Sequence, residues 1–209
     1  MTYKLYGRAG WGSAIVEAQL AWYGLPFTFE PVDDLFKSPD ARARLEKVNP
    51  LAQVPTLVMP DGSVMSESAA ITLLLADITG KDSLVPPPQA PERAKFLRWL
   101  VFLVANVYPT FTYADDPSRF VAVEAGREPF RAAVDAYALR LWHQVDGEAG
   151  SPWFLGERFS ALDIYIGIMT RWRPKRGWFE SEAPHLFAIA RRIDHVPELA
   201  EVWKRNFPA

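Results

Sequence analysis

Three short segments carry side chains and backbone groups able to do chemistry. The first is Gly10-Trp11-Gly12-Ser13, followed directly by a helical pattern over Ser13–Tyr23. Glycines let a backbone approach a ligand closely. A helix start offers unpaired N–H groups and the positive end of the helix dipole, which stabilises an anion by about 0.3–1 kcal/mol. A thiolate is such an anion, and the Ser13 hydroxyl could donate a further hydrogen bond to it. A plain N-cap at Ser13 beside a turn glycine at Gly12 accounts for the same residues.

The second segment is Val54-Pro55, ahead of a strand pattern at Thr56–Met59. A cis bond there would turn the Val54 N–H and C=O outward, ready to pair with an extended peptide as an added strand. A trans proline opening the strand is the alternative. The third is Ser66-Glu67-Ser68, which opens a helical pattern reaching Ile78. A helix N-terminus binds carboxylates through its free N–H groups. Ser68 adds a hydroxyl donor, and Glu67 could accept from an ammonium. An acid and an amine on one carbon make an amino-acid head group. Ser66 as a simple cap, with Glu67 in the first turn, would leave the same pattern.

These segments sit among elements in the order βαβ, α, ββ, α. Strand patterns cover Tyr3–Tyr6, Phe27–Val32, Thr56–Met59 and Ser63–Met65, the last two flanking an Asp61-Gly62 hairpin signal. Helical patterns cover Ser13–Tyr23 with Gly24 as a C-terminal stop, Ala41–Lys47 behind Ser38-Pro39, and Ser66–Ile78. Pro86-Pro87-Pro88 and Pro91 make residues 81–91 an extended linker. Beyond it strand signals vanish. Helices are expected at Pro91–Thr110, kinked or ended by Pro109, and at Gly126–Ala149, Ser160–Thr170, Pro184–Asp194 and Pro197–Arg205. The predicted architecture is α/β followed by all-α: a domain at 1–80, the linker, and a helical domain at 92–209.

Composition narrows the options. The chain has 209 residues and no cysteine, so disulfides, Cys-ligated metals and a cysteine nucleophile are excluded. Its net charge is −2, and it is 49% hydrophobic, which gives no reason to expect nucleic acid or an anionic membrane as a partner. No signal peptide or membrane span is visible, so cytoplasm is the expected compartment. His143, His185 and His195 lack metal-ligand spacing, and no metal site is expected. The basic run Arg171–Arg176 reads as a solvated loop.

Together the segments resemble the cytosolic glutathione S-transferase family. The matching residues are Leu5-Tyr6, Gly24-Leu25-Pro26-Phe27, Asn49-Pro50, Gln53-Val54-Pro55-Thr56-Leu57, Asp61-Gly62, and Glu67-Ser68 with Ala70-Ile71. In the second half the match is Phe159-Ser160-Ala161-Leu162-Asp163. The resemblance spans essentially the whole chain. It implies a thioredoxin-like N-terminal domain and a helical-bundle C-terminal domain, with Ser160 and Asp163 forming a capping box that nucleates a core helix. It implies glutathione as cosubstrate, bound by Trp11, Gly12, Gln53, Val54, Pro55, Glu67 and Ser68, with Lys37 or Arg42 as cations for the glycyl carboxylate. It also implies a small hydrophobic electrophile, held by Tyr108, Phe111 and Tyr113 of the helical domain, and a homodimer.

The family activates the thiol with a Tyr at the end of the first strand, or with Ser or Cys near the first helix. Here Gly12 stands where Cys-type members carry Cys, Gly10 where one Ser-type class carries Ser, and Tyr6 at the Tyr-type position. No standard class matches, and Cys-type chemistry is excluded. Ser13 is the expected donor, with Tyr6 and then the Trp11 and Gly12 amides as alternatives. The expected activity is glutathione transfer to hydrophobic electrophiles. A non-catalytic binding member, or a specialised glutathione-dependent isomerase, dehalogenase or ether-cleaving enzyme, remains as an alternative.

Overall fold

A computed structural model describes residues 2–208, which divide into two compact units. One comprises the chain up to Val85 together with residues 193–209; the other is Pro86–Arg192. The division at Val85 lies in the proline-rich stretch. Residues 193–208 depart from the sequence expectation, which placed 92–209 in a single helical domain; they group with the N-terminal unit instead.

The N-terminal unit is built on a four-stranded sheet in the order β2-β1-β3-β4. The strands are β1 (Tyr3–Gly7), β2 (Phe27–Pro31), β3 (Thr56–Val58) and β4 (Val64–Met65). Strands β1 and β2 run parallel, as a βαβ crossover through α1 (Ser13–Tyr23) requires. Strand β3 runs antiparallel to both β1 and β4. The hairpin at Asp61-Gly62 forms as expected, with the Met59 amide donating to the Ser63 carbonyl at 2.8 Å. Helix α2 (Pro39–Glu46) starts at a Ser38 cap, whose side chain accepts from the Ala41 amide at 3.2 Å. Helix α3 (Ser68–Thr79) packs on α1, where the Gln19 side chain donates to the Thr72 hydroxyl at 2.8 Å.

This topology fixes where the functional segments fall. β1 ends where β3 begins, because Tyr6 is opposite Thr56. β4 also ends there, because Met65 is opposite Leu57. The loop after β1, Val54-Pro55 before β3, and Ser66–Ser68 after β4 therefore share one end of the sheet.

The helical unit contains α4 (Arg93–Phe102), α5 (Tyr108–Asp115), α6 (Arg127–Asp146), α7 (Ala161–Met169), α8 (Arg176–Glu182) and most of α9 (Pro184–Ile193). Pro109 neither ends nor isolates a helix. A π-helical turn, Leu103–Val107, precedes it and absorbs the missing donor, so the helical path continues to Asp115. Trp99, Trp142, Tyr165, Phe96, Phe154 and Phe179 are fully buried in this unit. Helix α7 is buried along its whole length. It starts at the expected capping box, where the Asp163 carboxylate accepts from the Ser160 amide and the Phe154 amide, each at 2.8 Å.

Candidate functional site

Tyr6, Trp11 and Val54 pack together against a small core of Leu35, Ala41, Leu45 and Ala52 at the end of the sheet shared by the three segments. The Trp11 ring lies 5.3 Å from that of Phe36, and the Arg8 guanidinium carbon sits 5.4 Å from the Trp11 ring centre. Arg8 also approaches Asp34 at 3.9 Å. This places a cation beside the loop that the sequence reading did not single out; its only signal was its position between β1 and Gly10.

Ser13 does not fit the role of thiol donor. It is 0% exposed, and its hydroxyl donates to the Arg8 carbonyl at 3.1 Å while accepting from the Arg8 amide at 3.0 Å. Both hydrogen-bonding functions are spent tying the loop to the end of β1. Gly7 reflects the same closeness, since a Cβ there would lie 2.5 Å from the Ser13 Oγ. The Trp11 amide is also occupied, donating to the Arg8 carbonyl at 3.0 Å. Among the described residues, the amides left without an acceptor at the start of α1 are those of Gly12 and Ser13. Tyr6 is half-buried and packs against the same small core as Trp11 and Val54.

The Val54–Pro55 bond is cis. Neither the N–H nor the C=O of Val54 is engaged by another described residue. The Gln53 carbonyl, by contrast, accepts from Asn49 at 3.3 Å and from the Thr56 hydroxyl at 2.7 Å, so the segment is braced from within while Val54 stays open. The Gln53 side chain is exposed, and Pro55 is buried.

Helix α3 begins at Ser68, two residues later than the pattern suggested. Glu67 takes the cap position with φ 63° and ψ 98°. A left-handed conformation costs a non-glycine residue on the order of 1–3 kcal/mol, so it persists only where the surroundings over-determine it. The result is an exposed Glu67 carboxylate directly beside the α3 N-terminus, where the Ala69 and Ala70 amides have no acceptor among the described residues. Ser68 is buried at that same turn.

Of the two cations expected near the second helix, Arg42 is paired with Glu46 at 3.2 Å, whereas Lys37 is exposed and forms no ion pair among the described residues. In the helical unit, Tyr108 and Phe111 meet Trp172 in edge-to-face contacts at 5.5 and 5.1 Å. Tyr113 does not join them; it is 42% exposed and pairs with Phe120 at 4.9 Å. Trp172 was missed because it sits in the basic run read as a solvated loop. That reading is corrected as well. Arg173 bridges Asp115 and Asp135 at 2.8 Å each, next to a cavity of about 340 Å³ that Phe111 and Leu139 help to line. Among the described residues no cluster of potential metal ligands is present, and no helix is long and apolar enough to cross a membrane.

A thioredoxin-like sheet carrying an open cis-proline segment, followed by a helical bundle with an internal capping box, defines a class. A model of the glutathione S-transferase N-terminal domain matches residues 13–78. The uncharacterized GST-like protein YncG of Escherichia coli is 39% identical over 97% of this chain and 98% of its own. Glutathione S-transferase GST-4.5 of Xanthomonas campestris is 30% identical over 91% of this chain and 92% of its own. Among solved structures, a sphingomonad glutathione S-transferase complexed with glutathione aligns with a TM-score of 0.78 at 25% identity, over 99% of this chain and 100% of that one. The chain belongs to the glutathione S-transferase family.

Proposed function

We propose that the protein is a cytoplasmic, homodimeric glutathione transferase that ionises the glutathione thiol and directs it at a small hydrophobic electrophile. The observation that carries this reading is the convergence of three open backbone and carboxylate features at one end of the sheet. The Val54 N–H and C=O would pair with the cysteinyl backbone. Glu67 would accept from the γ-glutamyl ammonium, while the α3 N-terminus with Ser68 receives its carboxylate. Lys37, with no ion pair among the described residues, is the cation proposed for the glycyl carboxylate. The sulfur would then lie over the start of α1.

A model thiol ionises near pH 8.5, and each unit of lowering represents about 1.4 kcal/mol of preferential thiolate stabilisation. The Gly12 and Ser13 amides, the α1 dipole and the Tyr6 hydroxyl are the donors proposed to supply it. The thiolate forms a carbon–sulfur bond at the electrophilic carbon, and the leaving group departs with the bonding electrons. Tyr108, Phe111 and Trp172 offer the apolar aromatic surface for that partner.

The occupied Ser13 hydroxyl favours a second reading, a family member that binds glutathione without turning it over. Calorimetric titration with glutathione, combined with a chloronitrobenzene conjugation assay, separates the two. Binding with turnover supports the transferase. Binding without turnover moves the assignment to a ligand-holding protein, or to a specialised glutathione-dependent isomerase, dehalogenase or ether-cleaving enzyme. An absence of binding overturns both.

A further inference from the structure

Helix α10 (Ala200–Asn206), at the far end of the sequence, reaches the loop that precedes α1. Asn206 is 5% exposed and makes three hydrogen bonds. Its Nδ2 donates to the Glu17 Oε2 and to the Val202 carbonyl, each at 2.9 Å. Its Oδ1 accepts from the Gly10 amide at 3.1 Å. Both Nδ2 partners are pure acceptors, so the side-chain amide has one orientation, and its oxygen must face Gly10.

Glu17 lies on α1, just over one turn from the free Gly12 and Ser13 amides, and is 1% exposed. Arg205 closes the arrangement with an ion pair to the Glu17 Oε1 at 2.7 Å. A buried carboxylate without partners is costly, so α10 is held on α1 by the charge it satisfies. Gly10 has φ 76°, and a Cβ there would come within 3.4 Å of the Asn206 carbonyl oxygen, so this loop runs directly against the end of α10.

We propose that Asn206 is a positioning residue for the thiol, acting through the Gly10 amide to hold the Gly10–Gly12 loop in its sulfur-receiving geometry. The inference rests on the glutathione-transferase reading. Without Asn206, Gly10 loses its buried acceptor, and the loop no longer fixes the Gly12 and Ser13 amides relative to the sulfur. Donor geometry governs stabilisation of the thiolate far more than it governs the grip on the rest of the peptide, which is held elsewhere on the sheet.

The test is the thiol pKa of enzyme-bound glutathione, followed by thiolate absorbance across a pH titration, in the full-length protein and in Asn206→Ala. The variant is expected to raise that pKa by about one unit, a tenfold loss in the ionisation constant. Glutathione affinity, measured above the thiol pKa and below it, should change less. The double variant Glu17→Gln/Asn206→Asp exchanges amide and carboxylate, keeps an acceptor facing Gly10 and a hydrogen bond to residue 17, and loses only the bond to the Val202 carbonyl. It should recover most of the shift, a rescue that a merely structural role does not predict. Where the single variant does not fold, Glu17→Gln/Asn206→Leu removes the stranded charge together with the acceptor and serves in its place. A folded variant that lacks the acceptor yet binds glutathione with an unshifted thiol pKa overturns the proposal and leaves the functional reading intact. Failure of the wild-type protein to bind glutathione overturns the functional reading and this inference with it.

Discussion

Individual side chains divide into those that brace the site and those left open to a ligand. Ser13 belongs with the first. Ser13→Ala strands the Arg8 amide, while the Arg8 carbonyl keeps the Trp11 amide, and a stranded polar group costs about 1–3 kcal/mol. Denaturant unfolding should show that loss, and the thiol pKa of bound glutathione should stay near the wild-type value. Tyr6 is the hydroxyl still placed with Trp11 and Val54. Tyr6→Phe is expected to raise the bound thiol pKa while leaving stability nearly unchanged; an unshifted pKa would leave the α1 amides as the sole donors. Glu67 has the exposed carboxylate at the α3 start. Hydrogen bonds to charged groups contribute about 1.5–3 kcal/mol, so Glu67→Gln should weaken glutathione binding tenfold or more by calorimetry.

Helix α7 depends on its cap to a degree unusual for one residue. Asp163 is fully buried and accepts from the Phe154 and Ser160 amides and from the Ser160 hydroxyl. Asp163→Ala leaves two buried N–H donors unpaired and should cost about 3 kcal/mol, measured by denaturant unfolding. Burial also pushes the Asp163 carboxyl up to about 7, against the opposing pull of the hydrogen bonds from Phe154 and Ser160. Glu17 is raised as well, again by burial, with Asn206 and Arg205 pulling the other way. A carboxyl raised in the folded state binds more protons there than in the unfolded chain. Its contribution is therefore present below the unfolded value and is lost as pH rises through the folded one. Unfolding free energy should fall between about pH 4 and pH 7 relative to Asp163→Asn; a flat difference between the two proteins across that window would refute the assignment.

Across the whole chain, residues 193–208 group with the N-terminal unit, to which Ile193, Leu199, Val202 and Trp203 contribute buried side chains. Ending the chain after Arg192 removes Arg205 and Asn206 together with the buried Leu199, Val202 and Trp203 of the segment packed on α1, and opens that face of α1 to water. The truncated protein should unfold at a clearly lower temperature than the full chain. In the full chain, Arg205→Ala/Asn206→Ala leaves Glu17 without its partners, and breaking such a buried pair costs about 3–5 kcal/mol. Adding Glu17→Leu to that double variant should recover part of the loss; no recovery would mean that the loss comes from apolar packing alone.

Most of the architecture was readable before any coordinates, because it is written by neighbours in sequence. Ser38-Pro39 starts a helix, Asp61-Gly62 turns a hairpin, and Ser160 with Asp163 caps α7; each is decided within about four residues. The same holds for the unusual backbone of the three segments proposed to face glutathione, which their glycine, proline and acidic residues announce. Tertiary contact settled the rest. Whether the Ser13 hydroxyl was available depended on how closely the loop folds back on Gly7 and Arg8. Trp172 joined Tyr108 and Phe111 only because α5 and the segment after α7 come together in space. Asn206 meets Gly10 across a separation of 196 residues. No local pattern encodes such a meeting, since hydrogen-bond partners that distant are chosen by the packing of whole helices rather than by the chemistry of adjacent residues.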